Sequence, residues 1–175
     1  MKLRFAVLGL AAILAACDEP TVISHVDRRP NVAITDLWTA QGPDGVRTEI
    51  HGLPFKGVAP KRLAEVLRPP ASASNVTFNA VPVGSHGTGH AWRLVLHFNP
   101  AGAPNSTVDC KRTVIAETAP QPTEGYSVNA TFCKGTEWQA HGFMKVLKAE
   151  PGDLQSYSQH MQALLNVIFR EEPDR

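Results

Sequence analysis

The sequence lacks an excess of charge of either sign and lacks a hydrophobic run long enough to cross a membrane. Lysine and arginine together number 17, against 16 aspartate and glutamate residues, which gives a formal net charge of +1. Nucleic-acid binders concentrate positive charge on one surface, so a chain this close to neutrality is not expected to bind nucleic acid. The first apolar run covers only residues 5–14, whereas a transmembrane helix needs about 20 apolar residues. No transmembrane helix is therefore predicted.

The sequence also lacks a recognisable catalytic motif. Ser85 stands in the context Val83-Gly84-Ser85-His86-Gly87, which is not the Gly-x-Ser-x-Gly turn of a serine hydrolase. The same loop has no Lys-Ser or Lys-Thr ending and precedes a predicted strand, so it does not match a phosphate-binding loop. The carboxylates of Glu49, Asp109 and Glu117 form no paired motif. We therefore assign no catalytic residue and expect no cofactor, and an enzyme with dispersed catalytic residues is left open.

Residues 1–16 have the three parts of an export signal. Lys2 and Arg4 form the basic start, residues 5–14 form the apolar stretch, and small residues precede Cys17. Removal of this leader takes away two basic residues and leaves 15 against 16 acidic ones. The pattern predicts a signal peptide and export from the cytoplasm.

The boundary Leu14-Ala15-Ala16-Cys17 resembles the lipobox of bacterial lipoproteins. The resemblance implies that a diacylglycerol is attached to the Cys17 sulfur, that the leader is cut just before it, and that the new amino terminus is often acylated. An ordinary leader that happens to end at a cysteine is the alternative. Two or three acyl chains anchor a protein stably without a membrane span, because each buried methylene contributes about 0.8 kcal/mol.

The expected location is a membrane, reached through the N-terminal lipid, with the protein facing the periplasm. Asp18 directly follows Cys17 and resembles the inner-membrane retention signal of enteric bacteria. This slightly favours the inner membrane over the outer membrane.

The remaining two cysteines are predicted to form a disulfide. With Cys17 acylated, Cys110 and Cys133 are an even pair, and two cysteines in an oxidising periplasm are expected to join. Closing a loop of about 23 residues is worth on the order of 3 kcal/mol through the unfolded chain. The two residues are too far apart in sequence for a CxxC redox pair, so the predicted bridge is structural.

One small α+β domain is predicted to follow a short tether. Residues 17–31 are polar, contain Pro20 and Pro30, and show no sustained apolar period, which predicts a lipidated tether. The globular domain is then expected over residues 32–175, a length that suits one core. Its predicted fold is an antiparallel sheet with a C-terminal amphipathic helix and one shorter helix packed on it.

Alternation of apolar and polar residues predicts the strands. Residues 92–98 give the clearest strand, and residues 126–133 and 138–146 predict an antiparallel hairpin. Strands are also predicted over residues 76–80 and 108–117, and a hairpin is one interpretation of residues 32–50.

Helical spacing of apolar residues predicts two helices. One covers residues 59–67 with Pro60 in its first turn, and the other follows Asp153 as N-cap and reaches Ile168. Trp38, Trp92 and Trp138 occupy apolar positions and are predicted to lie in the core.

The order of Phe98-Asn99-Pro100, a cysteine soon after it, and Phe132-Cys133 before a C-terminal helix resembles small lipoproteins of alphaproteobacteria. This resemblance covers the second half of the chain. It implies no activity.

His86 and His90 are the sharpest candidates for a metal site. Two imidazoles four residues apart share one helix face and can chelate a metal. Three glycines within residues 84–90 favour a loop instead, and no glutamate follows His86 as a zincin motif requires. His97 and His141 lie on predicted strands, but neither can be assigned as a third ligand from sequence. Solvated loop histidines are therefore the ordinary interpretation.

These observations predict a lipid-anchored envelope protein that serves as a non-enzymatic interaction or assembly module, with another envelope protein as its partner. The alternative is a ligand- or metal-binding lipoprotein that uses the glycine-rich loop with His86 and His90.

Overall fold

A mixed sheet of seven strands is the centre of the part of the chain that the structure, a computed structural model, describes: residues 21–85 and 91–170. The strands are β1 Thr21–Arg28, β2 Gln41–Gly42, β3 Gly45–His51, β4 Phe78–Val81, β5 Trp92–Phe98, β6 Tyr126–Lys134 and β7 Glu137–Val146. The helices of these ranges are α1 Ile34–Ala40, α2 Pro60–Glu65, α3 Ser106–Lys111 and α4 Leu154–Ile168, with a short 3-10 helix at Ala71–Ala73.

The sheet has the strand order β1-β7-β6-β5-β3-β2, and β4 also pairs with β3. Strands β1, β7, β6 and β5 pair antiparallel, whereas β3 runs parallel to β5 and to β4. Between β3 and β4 the chain returns through α2, and a parallel pair requires such a crossover. The predicted α+β class is therefore confirmed, and the sheet is mixed rather than antiparallel throughout.

The predicted tether is wrong from Thr21 onward, because residues 21–28 form the edge strand β1. Thr21 pairs with Val146 and Arg28 pairs with Ala140 of β7. The register shifts between Ser24 and Asp27, so the strand has no continuous two-residue period. An edge strand with much of its surface in solvent looks like a polar linker in sequence. The leader, Cys17 and Asp18 lie outside the described residues.

The larger core fills one face of the sheet. Leu94, Leu96 and Phe98 of β5 are fully buried there together with Leu63 of α2 and Leu164 of α4. We refer to this side as the apolar face. Helix α4 begins as predicted, since the Asp153 carboxylate accepts hydrogen bonds from the first backbone N–H groups of the helix.

The clear strand and hairpin predictions are confirmed, as are the two helices. Strands β6 and β7 form the predicted antiparallel hairpin, the predicted strand β5 pairs antiparallel with β6, and α2 lies within residues 59–67. The weak strand predicted at residues 76–80 corresponds to β4, shifted by two residues at its start. Elements with a sustained period were therefore recognised correctly.

Two local predictions are wrong. Residues 106–111 form helix α3, capped by the Asn105 side chain, and residues 112–117 contain no strand. The first arm of the hairpin predicted for residues 32–50 is mostly helix α1, and only two residues of β2 pair with β3. Both segments contain short apolar groups that are compatible with a strand. In the structure a helix begins there instead, after Asn105 for α3 and at Ile34 for α1.

The tryptophans divide between core and surface. Trp38 on α1 is 46% exposed, so its predicted place in the core is wrong, because α1 buries Ile34 and Leu37 instead. Trp92 stacks on Phe132 with ring centroids 4.9 Å apart. Trp138 is partly buried, on the face of the sheet opposite the apolar face.

Candidate functional site

The second face of the sheet is buried although most of its side chains are polar. Helix α3 and the chain after it cover this face, and we name residues 106–118 the cover segment. Eight side chains of β3, β5 and β6 beneath it are each at most 4% exposed: Glu49, His51, Arg93, Val95, His97, Asn129, Thr131 and Cys133. We refer to this side as the polar face, and it is the candidate site.

A disulfide between Cys110 and Cys133 joins the cover segment to β6, with their Cα atoms 5.7 Å apart. The predicted bridge is therefore confirmed. Both sulfurs are buried and pack with Val95, and Trp138 lies against them. Trp138 reaches this face because the register shifts after Phe132, so that Cys133 pairs with Trp138. The bulge turns Trp138 away from the apolar face.

An ion pair joins β3 to β5 beneath the cover segment. Arg93 Nε lies 3.1 Å from Glu49 Oε1. The two terminal nitrogens of Arg93 donate to the backbone carbonyls of Gly135 and Cys110, each at 2.5 Å. Burial lowers the pKa of Arg93, and the negative charge of Glu49 opposes that shift. One guanidinium thus links two strands, the β6–β7 turn and helix α3.

His51 connects the same ion pair to the far part of the cover segment. Its Nδ1 accepts a hydrogen bond from the backbone N–H of Ala116 at 2.9 Å. Because Nδ1 is an acceptor, the neutral ring carries its proton on Nε2, which lies 3.8 Å from Glu49 Oε2. The hydrogen bond with Ala116 therefore orients the ring, and its Nε2 edge faces the Glu49 carboxylate.

Asp109 on α3 is the centre of a second polar group. Its Oδ1 accepts hydrogen bonds from His97 Nδ1 at 3.2 Å and Arg112 Nε at 3.3 Å, and its Oδ2 accepts one from Asn129 Nδ2 at 2.7 Å. Burial acts to raise the pKa of Asp109, but the hydrogen bonds and charge of its neighbours outweigh it, so the pKa lies below its ordinary value. Asp109 is therefore a buried, ionised carboxylate.

Both ring nitrogens of His97 face acceptors. Nδ1 faces the Asp109 carboxylate, and Nε2 lies 3.1 Å from the backbone carbonyl of Glu117. Each nitrogen of the ring is thus directed at a protein oxygen atom.

A cavity of about 150 Å³ opens beside this group. His97, Asp109 and Arg112 contribute to its wall, along with Asn105, Glu117 and the small residues of 100–103. Ligand pockets are usually about 300–1,000 Å³. The cavity is therefore smaller than the usual site for an organic ligand.

The described residues provide no metal site. Among residues 21–85 and 91–170, no group of three or more His, Cys, Asp or Glu side chains is arranged to hold a metal ion. His86 and His90 lie outside these ranges. His141 packs edge-on against the Trp138 ring at 5.1 Å, and burial lowers its pKa.

The sequence identified some of these residues without placing them together. Glu49 and Asp109 belong to no paired motif in the sequence, yet each is the anionic centre of a polar group. Arg93, Asn129 and Arg112 were missed altogether. Cys133 lies on the same side of β6 as Asn129, so the predicted disulfide was the signal that this side is buried beneath the chain around Cys110.

The cover segment presents large aliphatic residues to solvent although it is fixed from below. Val114 is 67% exposed and Ile115 is 71% exposed. The chain on either side of them is held by the Cys110 disulfide and by the contacts of Ala116 and Glu117 with the two histidines. The segment is a firmly held surface with an apolar outside.

Within residues 21–85 and 91–170, none of the helices has the length and apolar character of a membrane span. Comparison of the chain with protein-family models, with curated proteins and with solved structures finds no match.

Proposed function

We propose that this chain is an exported lipoprotein of the cell envelope, anchored by an acylated Cys17, whose domain is a non-enzymatic binding or assembly module. The observation that carries the proposal is the construction of the cover segment. Three groups of the polar face (Arg93, His51 and His97) bind its backbone from below, while Val114 and Ile115 lie exposed above. Val114 and Ile115 are adjacent and form an exposed apolar patch, and contiguous patches of this kind occur where a protein contacts another protein or a membrane.

The disulfide supports the exported location. Bridges of this kind form and persist in oxidising compartments such as the periplasm and are rare in the cytosol. The Cys110–Cys133 bridge is fully buried and closes a long loop, so its role is structural rather than redox. A lipidated Cys17 leaves this pair as the whole remaining cysteine content of the chain.

The chemistry of the polar face supports a structural rather than a catalytic role. A general base needs a ring nitrogen that faces a substrate, whereas both nitrogens of His97 face protein oxygen atoms, those of Asp109 and of the Glu117 carbonyl. His51 Nδ1 is used by the Ala116 amide. The charged groups of this face are directed at one another and at the cover segment.

The anchor is tested by mass spectrometry and membrane fractionation of the full chain. We expect the mature N-terminal peptide to begin at an acylated Cys17 and the protein to resist high-salt and carbonate washes. A Cys17→Ala variant is expected to leave the membrane fraction. Retention of that variant after the washes would contradict the anchor.

The contact surface is tested by photo-crosslinking in intact cells. A photoreactive amino acid replaces Ile115 in one variant and Val167, an exposed residue near the end of α4, in the control. We expect covalent adducts at position 115 well above those at position 167. Equal or absent adducts at the two positions would contradict the binding module.

A further inference from the structure

We propose that Val114 and Ile115 contact the lipid bilayer, so that the cover segment is a membrane-facing surface next to the lipid anchor. This inference rests on the proposed lipidation of Cys17 and names the partner of the contact surface described above. The argument has three parts: the position of the anchor, the position of the cover segment, and the chemistry of the residues exposed near both.

The predicted anchor leaves the domain at one end of the sheet. Cys17 lies four residues before Thr21, and an extended chain of that length spans at most roughly 14 Å. Thr21 begins β1 and pairs with Val146 at the end of β7. An acylated Cys17 therefore keeps this end of the sheet close to the membrane surface, and we name it the anchor end.

The register of the sheet brings the last residues of β5 and β3 to the anchor end. Val146 also pairs with Tyr126 at the start of β6. Two residues later, Val128 pairs with Phe98 at the end of β5. On the next strand His51, the last residue of β3, pairs with His97. The C-terminal ends of β7, β5 and β3 thus lie at the same end of the sheet as the N-terminal end of β1.

The exposed part of the cover segment lies at this same end. Ala116 is bonded to His51, and the backbone carbonyl of Thr113 lies so close to Gly84 that an added Cβ would come within 2.5 Å of it. Gly84 follows the end of β4, which runs parallel to β3. Val114 and Ile115 lie between these two fixed points.

The anchor end carries further exposed aliphatic side chains. Val22 is the second residue of β1, and Leu147 directly follows the end of β7; both are about half exposed, at 52% and 44%. Together with Val114 and Ile115 they place four large aliphatic residues at the end where the lipid is predicted. Apolar side chains at the boundary between headgroups and acyl chains gain free energy from leaving water.

The charge near these residues predicts which lipids are needed. Lys145 pairs with Val22, Lys148 and Glu150 follow Leu147, Glu124 precedes β6, and Lys111 and Glu117 stand on either side of Val114 and Ile115; all six are exposed. Positive and negative charges are balanced, so attraction to anionic headgroups adds little. We expect the contact to form equally on zwitterionic and on anionic vesicles.

The experiment uses the lipidated full chain reconstituted in phosphatidylcholine vesicles that carry nitroxide quenchers near the headgroup or near the acyl-chain end. An Ile115→Trp variant is compared with a Val167→Trp control, and the emission of the three native tryptophans is subtracted using the unsubstituted protein. Ile115 and Val167 are both exposed, so neither substitution disturbs the core. We expect the headgroup-level nitroxide to quench the tryptophan at 115 strongly and the one at 167 weakly.

The outcomes separate the two proposals. An acylated protein that floats with the vesicles but shows no excess quenching at position 115 overturns the membrane contact and leaves the anchor intact. A chain without acylation that fails to float overturns both. Adducts of position 115 with a protein rather than a phospholipid in intact cells keep the binding module and overturn its assignment to the bilayer.

Discussion

Strand β5 contributes Leu94, Leu96 and Phe98 to one face of the sheet and Arg93 and His97 to the other, and all five are at most 4% exposed. The apolar side chains are buried by the non-directional hydrophobic effect, at about 1.5–3 kcal/mol for each large side chain. The polar ones are buried only because each finds a partner at a fixed angle and distance. Equal burial therefore has two different physical causes in one strand.

This difference decides what each face can do. A hydrophobic core accepts substitutions of similar volume with small losses, because its contacts can rearrange. A buried ion pair adds little net stability, since desolvation offsets attraction, but it holds its members in one geometry. The apolar face thus supplies most of the stability, and the polar face determines where the cover segment lies.

The largest difference in the free energy of unfolding is expected when methionine is introduced on one face of β5 or on the other. Arg93→Met removes the charge that accompanies Glu49 in the buried pair, and we expect it to cost about 3–5 kcal/mol. Leu96→Met is the matched control on the apolar face and is expected to cost less than about 1.5 kcal/mol. Urea unfolding of both variants measures the difference. Similar losses of unfolding free energy in the two variants would mean that the polar face tolerates substitution as well as the apolar core does.

The disulfide is expected to give the next largest effect. Replacing both Cys110 and Cys133 with alanine should lower the free energy of unfolding by on the order of 3 kcal/mol, because the unfolded chain regains the freedom of a long loop. Exchange of the Ala116 amide, which is bonded to His51, should become faster than that of amides within β5. If all amides accelerate alike, the bridge does not act specifically on the cover segment.

The parts of the fold that sequence could predict are those with a sustained period. In β6, Tyr126, Val128, Ala130 and Phe132 alternate with less apolar residues, and the repeated apolar stripe of α4 follows a clear N-cap. These elements bury one continuous apolar side, and that is the property periodicity measures. Strand β1 was not predicted because it lies at the edge of the sheet and changes register after Ser24.

The polar face could not be predicted because polar residues that alternate with apolar ones along a strand can face either solvent or a covering segment. Arg93 and His97 on β5, or Asn129 on β6, look the same in sequence whether they face solvent or a covering segment. What buries them is a chain that is distant in sequence, and its helix α3 was itself predicted as a strand. The paired cysteines were the available signal, since they connect the covering chain to the polar side of β6.

A smaller effect of about 1–3 kcal/mol is expected for Asp109→Asn at neutral pH, since a buried carboxylate with three donors is replaced by an amide. The pKa of Asp109 is lower in the folded protein than in the unfolded chain. Its stabilisation is therefore present above the unfolded value of about 3.9 and is lost as the pH falls through the lowered folded value. The variant should lose this acid-dependent step in urea unfolding measured across acidic pH.

Asp153→Asn is the control for the acid step. Its carboxylate also has a lowered pKa, because of hydrogen bonds with Ser156, but it lies at the N-cap of α4 away from the polar face. The step that belongs to Asp109 should persist in this variant. If the acid dependence is unchanged in Asp109→Asn, the carboxylate of the cover segment is not its source.

The smallest effect on stability is expected for a substitution on the exposed outer side of the cover segment. Ile115→Asp should change the free energy of unfolding by no more than about 0.5 kcal/mol, because a largely exposed side chain contributes little to the core. In the vesicle experiment the same change, added to Val114→Trp, should remove the quenching at position 114, since an exposed carboxylate resists transfer to the acyl boundary. Unchanged stability with lost quenching would separate the outside of the cover segment from the network beneath it. A loss of several kcal/mol would instead show that Ile115 stabilises the folded protein, and this would contradict its assignment to a membrane-contacting surface.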